Sequence, residues 1–207
     1  MVEETPEEIR LRLAAKIPEV FDLTTKPSWC RTPKIANETL KEWTRKGTYF
    51  YFAEEAKPII LHRHYEDIPF DALRYVEPFF WASQPDIEDY KYMLAVNLRA
   101  MLLAKKEMDT AFDSWMSQLM YHMYLPEDLR KDRKQFIYGS TWWRAPSAQS
   151  LEKSSQFLHN FTLEQRQFMA EFFREFYAMF PYEEEYSYPT AIQIAENFWD
   201  GIYLKDG

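Results

Sequence analysis

A mainly α-helical fold, one compact multi-helix domain over residues 1–207 around a long central helix or helix pair, follows from three features of the sequence. Glycine is scarce, with only Gly47, Gly139, Gly201 and Gly207, whereas sheets joined by tight turns need glycine for positive φ. Apolar residues recur at helical spacing in several separate stretches. Helix starts are marked by capping patterns that place Thr, Pro and an acid or amide at the right offsets.

The first such start is Thr5-Pro6-Glu7-Glu8, and Ile9, Leu13, Ile17, Val20 and Phe21 continue it at helical intervals. Pro18 is expected to break or kink this helix. Residues 22–32, with Pro27, Ser28, Trp29 and Cys30, read as loop. Thr32-Pro33 opens a second helix with Ile35, Leu40 and Trp43 inward and Gly47 as its stop. Residues 49–52 and 59–64 are the strand-like runs, and they predict one short β-hairpin near 49–64, although the connection lacks a hairpin signature. Ile68-Pro69 restarts a helix to about Val76. Ser83-Gln84-Pro85-Asp86 then opens the central helix, read over 86–123, with Tyr90, Leu94, Leu98, Met101 and Leu102 on one face. Asp109-Thr110 marks a place where it divides in two. A short charged helix is expected over 127–134, a loop over 135–150, and a helix over 147–160. Thr162 and Gln165 cap the next helix, whose stripe of Phe168, Met169, Phe172, Phe173, Phe176 and Phe180 is stopped by Pro181. A last helix is expected over 190–200.

Composition removes several function classes. Without G-x-G-x-x-G or G-x-x-x-x-G-K, the usual nucleotide-phosphate loops are missing. No run approaches the roughly 20 apolar residues of a membrane span, and the acidic start Met1-Val2-Glu3-Glu4 lacks a signal-peptide apolar region. A cytoplasmic protein is the simplest reading, although export without a cleaved signal would give the same sequence. The single Cys30 permits no intramolecular disulfide. The net charge of −8 is uneven: residues 1–10 hold four Glu against one Arg, and residues 181–207 hold six acids against one Lys. Such a chain repels bare nucleic acid, whose binding rests on phosphate neutralisation, and suits solubility or a partner with a basic surface.

Four groups of residues invite chemistry or binding. His62 and His64 would share one face of a strand, beside Glu66 and Asp67, and imidazoles suit Zn or Fe. A site would need a third and a fourth ligand, of which His122 or His159 could supply one, and neither H-E-x-x-H nor a helical Glu-x-x-His pair is present. Lone histidines are more often structural. Cys30, beside Trp29 and Arg31, would make a thiolate nucleophile only if a histidine approached it; a loop cysteine half out of solvent is the bland alternative. The carboxylate pairs Glu54 with Glu55, Asp86 with Asp89 and Asp109 with Asp113 read as surface features or caps. Finally, Trp142-Trp143-Arg144 and Glu183-Glu184-Glu185-Tyr186-Ser187-Tyr188 join rigid aromatic area to charge, a combination that can steer and grip a protein partner. Their plain alternatives are a loop tucked over the core and a solvated loop.

Several of these stretches together resemble an uncharacterised, largely bacterial family of helical proteins. They are Ile17-Pro18-Glu19-Val20-Phe21, Tyr65-Glu66-Asp67-Ile68-Pro69, Phe79-Phe80-Trp81 with Ser83, Asp89-Tyr90-Lys91-Tyr92-Met93-Leu94, and Phe161-Thr162-Leu163-Glu164-Gln165 followed by Phe172-Phe173. Family members carry Leu-Pro-Ala where this chain has Leu94-Ala95-Val96. The resemblance implies a helical fold and supplies neither catalytic residues nor a cofactor. Small acidic bacterial proteins of this kind often serve as immunity proteins, an association rather than a mechanism. The functional expectation is a non-enzymatic, acidic protein-binding module, an immunity protein that occludes a toxin. The alternatives are a metal-dependent enzyme with a His62/His64 site and a structural or oligomeric subunit.

Overall fold

The computed structural model describes residues 4–46, 53–75, 86–104, 156, 158–180 and 199–200. These are helical with connecting loops, and no strand occurs among them. The helices are α1 (Pro6–Val20), α2 (Pro33–Lys46), α3 (Ala53–Leu61), α4 (Phe70–Tyr75), α5 (Ile87–Leu103), α6 (Leu163–Arg174) and α7 (Phe176–Met179), with a 3-10 turn at Tyr65–Asp67 before α4. No described helix is long and apolar enough to cross a membrane. The chain divides into two compact units, one of Met1–Lys16 with Tyr124–Gly207 and one of Ile17–Met123. The division falls inside α1.

In the first unit the capping signals act as the sequence predicts. Thr5 Oγ1 accepts from the Glu8 N–H at 3.2 Å, and the Thr5 N–H donates back to Glu8 Oε2 at 2.7 Å. That bond to the Thr5 backbone holds the Glu8 carboxyl below its usual range. Thr162 and Gln165 form the same reciprocal box at the start of α6. Behind it the apolar stripe is buried: Phe168, Met169, Phe172, Phe173, Phe176 and Phe180 all lie in the core. Their rings meet mostly edge to face, Phe172 with Phe173 at 5.3 Å and Phe161 with Trp199 at 5.3 Å between centroids. The stripe is carried by two helices rather than one. Glu175, at φ −84° and ψ 0°, separates α6 from α7 without disturbing the inward spacing. Ion pairs tie α1 to α6. Arg12 Nη1 and Lys16 Nζ both reach the Glu171 carboxylate, at 2.6 and 2.9–3.0 Å, while Arg12 Nε holds Glu4 at 3.0 Å. Burial alone would raise the Glu171 carboxyl, but the bonds from Lys16 and Arg12 outweigh it and hold it below the usual carboxylate range.

Four expectations change. Pro18 does not end α1, which continues to Val20, with the Phe21 N–H bonded to the Ile17 carbonyl at 2.9 Å. The proline sits in the last turn, where one missing N–H costs a single ladder bond. The strand expected over 59–64 is the end of α3 and a loop. A short apolar run such as Ile59-Ile60 does not distinguish strand from helix by periodicity. Residues 49–52 lie outside the described residues. Ile35 is exposed, whereas its neighbour Ala36 is buried. The central helix ends at Leu103, where Ala104 turns extended at φ −63° and ψ 136°, ahead of the break expected at Asp109. The expected helix over 127–134 and the loop over 135–150 lie outside the described residues.

In the second unit α2 packs on α3, α3 on α4 and α4 on α5. Asp86 caps α5 by accepting from the Glu88 and Asp89 N–H groups at 2.8 and 3.3 Å. Every residue from Asp89 to Leu98 is buried, so α5 is enclosed around its circumference rather than along one face. Before it, Asp22 closes the exit of α1 by accepting from Thr24 and Thr25, bonds that lower its carboxyl to about 2.

Replacing the fully buried Phe172 by Ala should cost about 3–5 kcal/mol, and Thr162→Ala about 1 kcal/mol through the lost cap. Urea unfolding midpoints at an unchanged slope would measure both.

Candidate functional site

The chemistry-bearing side chains of the described residues gather around α5, within the second unit. On one side lies a buried polar network. Leu61 ends α3, and His62 follows with its side chain folded under the helix terminus. His62 Nδ1 hydrogen-bonds the Ile59 carbonyl, and its Nε2 lies 2.7 Å from Tyr92 Oη. A carbonyl can only accept, so Nδ1 carries the proton, and in the neutral imidazole that burial favours Nε2 accepts from the Tyr92 hydroxyl. Burial lowers its pKa against the opposing bond to Ile59, and burial pushes the Tyr92 phenol up. Lys26 Nζ bonds the His62 carbonyl, so a cation meets the negative end of α3.

The neighbouring part of the network fixes the loop after α1. Asp89, in the first turn of α5, accepts from the Ser28 N–H at 2.7 Å and from the Ser28 hydroxyl. It is 2% exposed, which corrects its expected place on the surface. Asp86, by contrast, acts as the cap of α5, as its position predicts. Cys30 is also buried, and burial pushes its thiol up to about 12. The nearby Lys26 and Arg31 charges oppose that rise without overcoming it. At neutral pH the thiol stays protonated, so the arginine-activated thiolate is not what this loop builds.

On another side of α5 lies an open cavity of about 420 Å³. Its walls include Ile68, Leu73, Val96 and Leu103, and its polar rim is Tyr65, Glu66 and Arg99. Arg99 Nη2 reaches Glu66 Oε1 at 2.8 Å, and the guanidinium carbon stands 5.3 Å from the Tyr65 ring centre. His64 shapes this rim. It is the N-cap of the 3-10 turn, with its Nδ1 3.4 Å from the Glu66 N–H and its own N–H donating to Asp67 Oδ2 at 2.8 Å.

The two histidines singled out by the sequence thus take different roles. His62 is buried with both ring nitrogens engaged, whereas His64 is exposed and caps a turn. The strand that would have put them on one face is absent, because 59–61 is helical. His159 is exposed, and His122 lies outside the described residues. Among the described residues no three His, Cys, Asp or Glu side chains form a metal-sized group. Trp142, Trp143, Arg144, Glu183, Glu184, Glu185, Tyr186 and Tyr188 all lie outside the described residues, as do Asp109 and Asp113. Sequence reasoning missed Arg99, Lys26, Ser28 and Tyr92. The pairing of Tyr65 with an arginine on the long helix has a weak signal in hindsight, since Arg99 stands one turn beyond Ala95 on a helix that is otherwise apolar there. Ser28 has none.

No family model, curated protein or solved structure matches the chain.

Two measurements test the network. Cys30 should resist a disulfide reagent at pH 8 in the native protein and react fully in denaturant; rapid native labelling would contradict its burial. For His62, the folded pKa lies below the unfolded value near 6.5, so the unfolded chain binds the extra proton first. Its contribution is complete above about pH 6.5 and is lost as pH falls below that value and through the lower folded pKa. A His62→Gln variant should show a flatter stability profile between about pH 7 and 5 than the parent, measured by urea titration at each pH.

Proposed function

We propose that the protein acts by binding rather than by catalysis, presenting an acidic, aromatic surface to a basic protein partner. The more specific role is that of an immunity protein that occludes a toxin. The observation that carries the reading is the charge distribution: a net −8 with six acids against one Lys in residues 181–207. Clustered like charge steers an oppositely charged partner and accelerates encounter. The first acidic stretch contributes less to this than its composition implies. Glu4 is held by Arg12 and Glu8 by Thr5, so part of that charge serves the helix start. The second stretch, with Glu183, Glu184 and Glu185 beside Tyr186 and Tyr188, is the main docking element, and Trp142, Trp143 and Arg144 supply a second anchor.

The fate of the reactive groups around α5 supports a binding role. The Cys30 thiol is kept protonated, both His62 nitrogens are spent within the core, and Asp89 is held by Ser28. A general base or nucleophile needs a free atom facing a substrate, and these groups are committed to packing.

The partner to test is the product of an adjacent toxin-like reading frame. Reversing Glu183, Glu184 and Glu185 to Lys should lower its association rate by at least about tenfold at low salt, with the difference shrinking as salt rises. Stopped-flow association at several ionic strengths is the measurement. An unchanged rate at low salt would remove the acidic segment from the proposal.

A further inference from the structure

We propose that the cavity bounded by the 3-10 turn, α4 and α5 is a binding site for a small monocarboxylate with an apolar body. This is independent of the protein-docking role. The cavity measures about 420 Å³, within the roughly 300–1,000 Å³ of small-molecule sites. Its walls are the part that fits an apolar body. Ile68, Leu73 and Val96 are almost wholly withdrawn from water yet line the space, so an occupant would meet packed hydrocarbon.

Arg99 is the part that fits a carboxylate. A guanidinium has five N–H donors in a planar fork, and the structure assigns one Nη2 contact of this fork to Glu66. The remaining donors of Arg99 have no protein acceptor among the described residues. The Tyr65 ring lies against the guanidinium carbon at 5.3 Å, which fixes the plane of the fork and reduces what an incoming anion must order. The Arg99 side chain is 26% exposed, so the fork is partly shielded from water and still reachable. In that setting a charge-assisted, two-pronged contact is stronger than at an open surface.

Glu66 sets both the charge of the ligand and the readout. Its carboxylate occupies one prong of Arg99 while half its side chain faces solvent, so it can turn outward when another carboxylate arrives. One arginine with one carboxylate beside it suits a monoanion, since a dianion would face repulsion without a second cation to offset it. Glu66 therefore acts as an internal competitor for the position the ligand takes.

The experiment is calorimetric titration of the full chain with octanoate, with octanamide and inorganic phosphate as comparators. Saturable one-to-one binding of octanoate is expected, with octanamide and phosphate each weaker by roughly tenfold or more, the usual scale of a hydrogen bond to a charged group. Arg99→Gln should weaken octanoate to the level of the amide. Ala100→Phe, which fills the cavity from α5, should abolish binding with the thermal midpoint retained. Glu66→Gln keeps the shape, removes the competitor and should tighten octanoate several-fold. A merely structural Arg99–Glu66 clasp would leave that affinity unchanged. Absence of saturable octanoate binding at millimolar concentration overturns the proposal. So does equal binding of the amide, or an Arg99→Gln protein that binds as the parent does. Should Ala100→Phe fail to fold, the opposed shifts of Glu66→Gln and Arg99→Gln still decide the matter.

Discussion

The second unit depends on the enclosure of α5. A helix buried on one face can leave its polar residues in water, but from Asp89 to Leu98 this one has no such face. Each polar side chain there must find a partner inside the protein, because burial without a hydrogen bond costs about 1–3 kcal/mol. Asp89 takes Ser28, Tyr92 takes His62, and Lys91 reaches out along its stem to Glu88 at 2.8 Å. Asn97 donates to the Met93 carbonyl at 2.8 Å, and its Oδ1 meets no donor among the described residues. The partners of Asp89 and Tyr92 come from the loop after α1 and from the end of α3. The polar residues of α5 therefore pin the same segments whose apolar residues, Leu23 and Cys30 in the loop and Ile59 and Ile60 at the end of α3, enter the core.

That arrangement explains which features were legible in the sequence. The caps at Thr5, Asp86 and Thr162, and the phenylalanine stripe of α6 and α7, are local patterns that depend only on residues a few positions apart. Their structure follows the pattern closely. The roles of Asp89, His62 and Ser28 are decided by residues 30 to 61 positions away, and no local rule reports such a distance. Asp89 has the sequence context of an ordinary first-turn acid, and only the approach of Ser28 makes it a buried anchor. The 59–64 strand failed for a different reason: Ile59 and Ile60 are buried, but burial of two adjacent residues is equally met at the end of a helix. The cavity beside α5 was not legible: in the sequence Tyr65 and Glu66 stand only in a turn next to His62 and His64. Its cation comes from α5, at a position where the sequence shows a single arginine between apolar residues.

Reactive residue types are used here as structural material. A thiol, an imidazole and a phenol lie close to one another, with the imidazole and phenol hydrogen-bonded and the thiol near enough to the phenol to influence its ionisation. Elsewhere such a combination could transfer protons. Burial moves the thiol and phenol up and the imidazole down, so all three are neutral at ordinary pH. Neutral groups can hydrogen-bond inside the core without the solvation cost of a charge. The same shifts that would tune a catalyst in contact with substrate serve, in an enclosed position, to keep the core uncharged.

The bridge from Arg12 to Glu171 joins residues 159 positions apart, and this bears on how the chain is made. Helix α1 leaves the ribosome early, while its counter-charge and the phenylalanine wall leave late. At about 5–20 residues per second of synthesis, roughly 8–30 s separate the two. During that interval Arg12 and Lys16 have no Glu171 to pair with, and the stretch 17–123, contiguous in sequence, can condense first. Until Glu171 is made, α1 rests on its own reciprocal cap and acidic first turn, interactions that need no residue beyond the helix start.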